Sequence, residues 1–153
     1  VPSGFMASAD FVNHHCKTDA HYLYYLSMVK FISDNITRLL SETNVVCARY
    51  IYSTISYHDA SRNTVKVDID SLALVKPDFT FLLTVSEQER LRRLQSRPVK
   101  KKGDEQEKRA GSFLEKAERK LCSFPDIIKI PTDNKTPREI AITILGEAGL
   151  LPT

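Results

Sequence analysis

The chain has 153 residues, 42% of them hydrophobic and 27% charged, with a formal net charge of +3. That length suits one domain with a sizeable core, and the composition is ordinary for a globular protein. The net charge is too small to imply nucleic-acid binding, and no apolar run is long enough to cross a bilayer.

Other features bound the setting. Cys16, Cys47 and Cys122 are far apart, odd in number and form no Cys-x-x-Cys pair. A disulfide framework is not expected, so a reducing cytoplasm is the default. No signal-peptide pattern occurs. The opening Val1-Pro2-Ser3-Gly4 lacks a start methionine and reads as an expression remnant or an internal start.

In chain order, residues 1–17 show no clear period and read as loop. Thr18 or Asp19 can cap a helix running to about Leu40. Its apolar residues Tyr22, Tyr25, Leu26, Val29, Ile32, Ile36, Leu39 and Leu40 recur at three and four, as a core-facing helix requires. Glu42-Thr43-Asn44 breaks it. Val45 to Tyr50 reads as a strand covered on both faces. Residues 52–60 read as a short helix, Ser61-Arg62-Asn63 as a turn, and Asp68 to Val75 as another helix, stopped before Pro77.

Asp78 to Val85 is a near-continuous apolar run, as in a central parallel strand. Ser86-Glu87-Gln88-Glu89 has the form of a capping box, predicting a helix to about Ser96. Pro98 to Gly103 is a basic loop. Asp104 to Leu121 is charged and helical, with Phe113, Leu114, Ala117 and Leu121 on its apolar stripe. Asp126 to Ile130 is a last strand. Thr136-Pro137-Arg138-Glu139 is a second capping box, with proline at the first helical position. Strands alternating with helices predict an α/β fold with a parallel sheet covered on both faces, joined by right-handed connections.

Four constellations could carry chemistry. Arg49 stands at the end of the first predicted strand, where open α/β sheets bind ligands. Its guanidinium can fork onto a phosphate or carboxylate, or pair with a structural acid. Ser53 and Thr54 lie one turn on. Between Arg90 and Lys102 there are seven basic residues and no acidic ones. Arg90, Arg93 and Arg97 share a helix face. They can close over a triphosphate with Lys100, Lys101 and Lys102, or form a solvated charged face. Pro131-Thr132-Asp133-Asn134 is a polar loop at the sheet's carboxyl edge. His14, His15, Cys16 and His21 are soft ligand types, but their spacing fits no zinc pattern and no protein-held metal is expected.

The run Arg49-Tyr50-Ile51-Tyr52-Ser53-Thr54-Ile55-Ser56-Tyr57-His58 resembles, without a gap, the Asp-Arg-Tyr…Ser-Ser/Thr…Ala-Tyr-Gln signature of thymidylate kinases. Ala48 stands in place of the acid and His58 in place of the glutamine. Lys76-Pro77-Asp78-Phe79-Thr80-Phe81-Leu82-Leu83-Thr84-Val85 resembles the family's Lys-Pro-Asp-hydrophobic strand. The resemblance covers about Tyr22 to Leu145. It implies a three-layer P-loop kinase fold, with a mainly parallel central sheet and a helical lid at about residues 90–110, in one domain over 1–153. It implies transfer of phosphate from ATP, with Mg2+, to a deoxynucleoside monophosphate, most directly dTMP to dTDP.

The resemblance also assigns roles. Arg49 would hold the acceptor phosphate. Tyr25, Ser53, Thr54, Tyr57 and His58 would bind the acceptor nucleoside, with Lys30 the nearest cation to the position of the family's phosphate-holding arginine. Arg93 and Arg97 would clamp ATP from the lid, and Arg49, Arg93 and Arg97 form the catalytic set. Pro131, Asp133 and Asn134 would pack against adenine. Asp104-Glu105-Gln106-Glu107 lacks the arginine of the family's Asp-Arg-x-Glu. The expected partners are the two nucleotides, with no nucleic acid and no membrane, and a homodimer through helices beside the sheet.

No Gly-x-x-x-x-Gly-Lys-Ser/Thr occurs in the chain, although a P-loop kinase needs its amides and lysine around the phosphates. Such a strand-loop-helix unit needs roughly 30 residues. Its expected place is upstream of Val1. The other reading is a non-catalytic relative that binds nucleotide or a partner protein, which Ala48 favours. A kinase of the same superfamily acting on another small acceptor is a third.

Overall fold

The structure, a computed structural model, describes residues 3–97 and 111–151. They form two compact units. One comprises the chain up to Lys76 together with Phe113–Leu121; the other comprises the rest from Pro77 onward.

The first unit is built on α2 (Thr18–Leu39). Tyr22, Leu26 and Val29 recur at four and three, and each is at most 6% exposed. Ile51, the first residue of α3 (Ile51–Ala60), closes the same cluster. Burying side chains of this size stabilises by roughly 1.5–3 kcal/mol each. The stretch predicted as loop before α2 is instead a helix, α1 (Ser3–His15), with Ala9 and Val12 buried. Its short side chains and paired histidines blur the helical period that a sequence pattern would need.

Neither predicted cap of α2 is used. Lys17 occupies the cap position with no side-chain bond. The Asp19 carboxylate instead accepts from the backbone N–H of Thr64 at 2.7 Å, the Thr64 hydroxyl, and the N–H of Val65 at 3.4 Å. This anchors an extended segment whose Val65, Val67 and Ile69 pack on the core at alternate positions. The helix predicted over Asp68 to Val75 is only a 3-10 turn, Asp70–Leu72. Asp68 accepts from the Asp70 N–H at 3.1 Å, and Ala73 at φ 46° stops the turn in the left-handed region.

Val45 to Tyr50 is not a strand. An extended segment becomes a strand only when its N–H and C=O groups find a ladder, and none pairs with it among the described residues. Val46 is 98% exposed, contrary to burial on both faces.

The second unit contains β1 (Thr80–Thr84), α4 (Glu87–Gln95), β2 (Ile127–Pro131) and α6 (Pro137–Glu147). β1 and β2 pair in parallel, with Thr80 opposite Ile127 and Thr84 opposite Pro131. Parallel strands need a long crossover, and this one carries α4 and α5 (Gly111–Leu121). The α/β class and the parallel pairing are as predicted.

Both predicted helix starts are used. The Ser86 hydroxyl accepts from Glu89 N–H at 3.3 Å. At Thr136 both halves of the capping box form, with Pro137 at the first turn. No helix among the described residues is long and apolar enough to cross a membrane.

Two buried serines make a paired test. Ser33 is 1% exposed and its hydroxyl accepts from Val75 N–H at 2.8 Å. Ser56 is 0% exposed, and its hydroxyl has no hydrogen-bond partner. Ser33→Ala strands a backbone donor and should cost about 1–3 kcal/mol, whereas Ser56→Ala removes an uncompensated polar group and should leave stability unchanged or raised. Urea midpoints of the two variants check this, and equal losses would contradict it.

Candidate functional site

Arg49 ends the extended segment with φ 67°, a left-handed conformation that a non-glycine residue adopts at a cost. The turn feeds directly into α3, whose N-cap Tyr50 supplies no side-chain cap. The first amides of α3 are therefore left for other partners, and a helix start favours anions. The exposed Arg49 guanidinium lies 5.0 Å from the centre of the Tyr57 ring. Among the described residues it forms no ion pair. Ser53 and Thr54 both donate their hydroxyl hydrogens to the Tyr50 carbonyl, at 2.9 and 3.1 Å. They would have to rotate to donate to a ligand. Tyr57 also meets Phe113 edge-on, with ring centres 5.7 Å apart. Ser56 stands at the alanine position of the quoted signature, which accounts for a hydroxyl with nothing to bond.

His58 is 6% exposed, and both its ring nitrogens are occupied. Nδ1 lies 2.7 Å from the Thr54 carbonyl, which can only accept, so Nδ1 carries the hydrogen. Nε2 lies 2.8 Å from Nδ1 of His21. Nε2 of His21 in turn meets Asn13 Oδ1 at 2.8 Å, and the Tyr25 hydroxyl donates to the same oxygen at 3.0 Å. Burial is the first cause holding both imidazoles below the ordinary histidine value; mutual repulsion lowers His21 further, while the Thr54 carbonyl partly offsets the effect on His58. Tyr22 packs its ring 4.8 Å from His58, and burial raises its phenol. Lys30 pairs with Asp34 at 2.7 Å, one turn along α2.

The second unit collects the other predicted residues at the carboxyl ends of its strands. Thr132, 4% exposed, donates both its N–H and its hydroxyl to the Thr84 carbonyl at 2.9 Å. Asp133 accepts from Ser86 N–H at 3.1 Å and from the Ser86 hydroxyl. These hydrogen bonds hold its carboxyl below the ordinary range. Asn134 adopts φ 55°, and Pro131 is the last residue of β2.

Arg93 lies on α4 with Nε on Glu89 at 2.8 Å and Nη2 on the Thr132 carbonyl at 2.6 Å. Arg93 thus ties the loop after β2 to the helix. Arg90 pairs with Glu87 at 3.4 Å. Arg97 is exposed beyond the end of α4. Residues 98–110 of the predicted lid lie outside the described residues, with Lys100, Lys101, Lys102 and the acidic run at 104–107.

Among the described residues no three of His, Cys, Asp and Glu stand together as ligands. Ala48 offers no carboxylate where the quoted signature has one. The grouping of His14, His15, Cys16 and His21 dissolves: His14 Nδ1 lies 2.6 Å from the Asp10 carbonyl, and His21 turns to His58.

Sequence reasoning missed two features. Asn13 fell in the segment read as loop, and no local signal marks it. The His21–His58 contact joins residues 37 apart. The tilt of Tyr22, Tyr25 and His21 onto one helix face was the available hint.

Glu89 makes an acid test. Arg92 first, then Arg93, hold its carboxyl down to about 2 from the ordinary 4.5. A lowered folded value means the stabilisation is complete above 4.5 and is lost as pH falls through about 2. The stability difference between the native chain and Glu89→Gln should therefore shrink across that window. Thermal midpoints measured down the pH series test it; a constant difference would refute the assignment.

The family model for thymidylate kinase matches residues 8–138. The probable thymidylate kinase of Methanocaldococcus jannaschii is 34% identical over 131 residues. That alignment covers 80% of this chain and 66% of the archaeal protein, so the chain spans slightly less than two thirds of that relative's length. No solved structure matches it significantly. With the signature on α3, the parallel strand pair and a family match over most of its length, the chain belongs to the thymidylate kinase family.

Proposed function

We propose that the protein transfers a phosphoryl group from ATP to a deoxynucleoside monophosphate, with dTMP the acceptor. The bond between the terminal phosphorus and its bridging oxygen breaks, and a phosphate oxygen of the acceptor takes the phosphorus. The observation that carries this reading is Arg49: an exposed guanidinium with no ion-pair partner among the described residues, stacked on Tyr57, beside an uncapped helix start. That combination suits a dianionic phosphate. The similarity to the archaeal probable thymidylate kinase supports the same reading.

In this reading Arg49 holds the acceptor phosphate. Ser53, Thr54, Tyr57, Tyr25 and the His58 region surround its nucleoside. Arg93, Pro131, Asp133 and Asn134 form the ATP side, with Arg97 reaching the phosphates. Mg2+ would arrive with the nucleotide, as it usually does when phosphates supply its ligands. What these residues do themselves is bind and orient. A cytoplasmic setting accords with three free cysteines. A homodimer accords with exposed Phe11 and Leu23 on the first two helices.

A second reading, a relative that binds nucleotide without turnover, is favoured by Ala48 in the acid's position. The native gene product, incubated with ATP, magnesium and a panel of nucleoside monophosphates, separates the two by ADP formation. Turnover highest with dTMP is expected; binding without turnover selects the second reading. Arg49→Ala should raise the KM for dTMP by roughly 10–100-fold, the loss of charged hydrogen bonds, and an unchanged KM would remove Arg49 from the site.

A further inference from the structure

We infer that Tyr57 and Phe113 are positioning residues that act on the acceptor phosphate through Arg49. The inference rests on the proposed reading, in which Arg49 holds that phosphate. Arg49 is exposed and enters α3 from a left-handed turn, φ 67°. No ion pair among the described residues fixes its side chain. The guanidinium nevertheless has a seat: its Cζ lies over the Tyr57 ring, 5.0 Å from the ring centre.

Helix geometry accounts for that seat. Tyr57 follows Ser53 by four residues and Thr54 by three on α3. A long helical side chain leans back over those positions, toward the helix start. The ring is thereby carried toward the turn at Arg49. Ser53 and Thr54, on the same face, give their hydroxyl hydrogens to the Tyr50 carbonyl at 2.9 and 3.1 Å. That leaves the guanidinium as the charged donor of this face. A cation–π contact takes up the flat side of a guanidinium and leaves the N–H fork at its edge. The ring and a phosphate can therefore hold Arg49 at the same time. A side chain already seated loses less rotamer freedom when its ligand arrives.

Phe113 supports Tyr57 in turn. It is the third residue of α5, which lies in the same compact unit as α3. Ala117, one turn further along α5, is 2% exposed and seats that helix. The Phe113 and Tyr57 ring centres are 5.7 Å apart with planes at 71°, an edge-to-face pair. The outer torsion of a free tyrosine side chain is broad. This contact narrows it, and so narrows where the guanidinium rests. The sequence placed Phe113 only on an apolar stripe; the contact gives that stripe a task at the acceptor site.

The test separates action through Arg49 from a direct touch on the nucleoside. The probes are dTMP and thymidine, which differ only in the phosphate. They are titrated against the native gene product and the variants Tyr57→Leu, Tyr57→Phe and Phe113→Leu. Tyr57→Leu should weaken dTMP by about 2–5-fold, the range of an exposed cation–π contact, and thymidine by less. Equal losses for the two probes overturn the inference. Tyr57→Phe keeps the ring and should recover most of the dTMP loss; a loss as large as that of Tyr57→Leu overturns it. Phe113→Leu should show a smaller loss, again larger for dTMP than for thymidine. Added to Arg49→Ala, neither Tyr57→Leu nor Phe113→Leu should weaken dTMP further, and an additive loss overturns the inference. In turnover the defect should fall on the KM for dTMP more than on the KM for ATP.

A second readout does not depend on activity. In the unliganded protein the Arg49 side-chain proton resonances should be displaced upfield by the Tyr57 ring. They should return to ordinary positions in Tyr57→Leu and stay displaced in Tyr57→Phe. Undisplaced resonances in the native protein overturn the inference whether or not the protein is a kinase. Where Tyr57→Leu does not fold, Phe113→Leu and the native resonances carry the same test. A native protein that shows the displacement but binds neither probe removes the functional reading, and this inference with it.

Discussion

The first unit depends on a single apolar stripe along α2. Tyr22, Leu26 and Val29 are buried at helical spacing, and Ile51 seats α3 on them. Fixing that face fixes its neighbours. His21 and Tyr25 flank Tyr22, so the helix that builds the core also carries the polar pair to the edge of α3. One turn beyond Val29 the stripe continues as Ser33, whose hydroxyl secures the N–H of Val75. A polar residue on a buried stripe is tolerated because it answers a backbone donor that has no helix or sheet to join.

In the second unit the same accounting is done at the ends of two parallel strands. Thr132 and Asp133 close the turn after β2 onto Thr84 and Ser86, the last residue of β1 and the cap of α4. Arg93 then takes the Thr132 carbonyl. Loops at the carboxyl edge of a parallel sheet are where ligands bind, and a loop so tethered presents its outer backbone with little freedom left to lose.

Much of this was legible in the sequence. The α2 stripe, β1 and β2, and the capping residues Ser86 and Thr136 all follow from period and local chemistry, which act within a few residues. The misses share a cause. Val45 and Val46 have strand propensity, but a strand is made by a partner that propensity does not supply. Asp68 to Val75 reads as a helix stopped before Pro77, yet Asp19, more than forty residues earlier, holds the chain extended just ahead of it. For the site, Arg49, Ser53, Thr54, Tyr57 and His58 were picked out from the signature. What each hydrogen does there depends on Asn13, His21 and Tyr50, whose contacts across helices no local pattern encodes.

The backbone of Arg49 carries a further consequence. Its left-handed φ is one that glycine adopts freely and asparagine adopts readily, whereas arginine holds it at a cost on the order of 1 kcal/mol. Selection for folding alone would therefore draw this position toward glycine or asparagine. Selection for an anion held beside α3 would keep the guanidinium and accept a less stable turn. In the proposed reading, where Arg49 holds the acceptor phosphate, stability and activity pull in opposite directions at this residue, and replacing it with glycine or asparagine would relax the turn while removing the guanidinium.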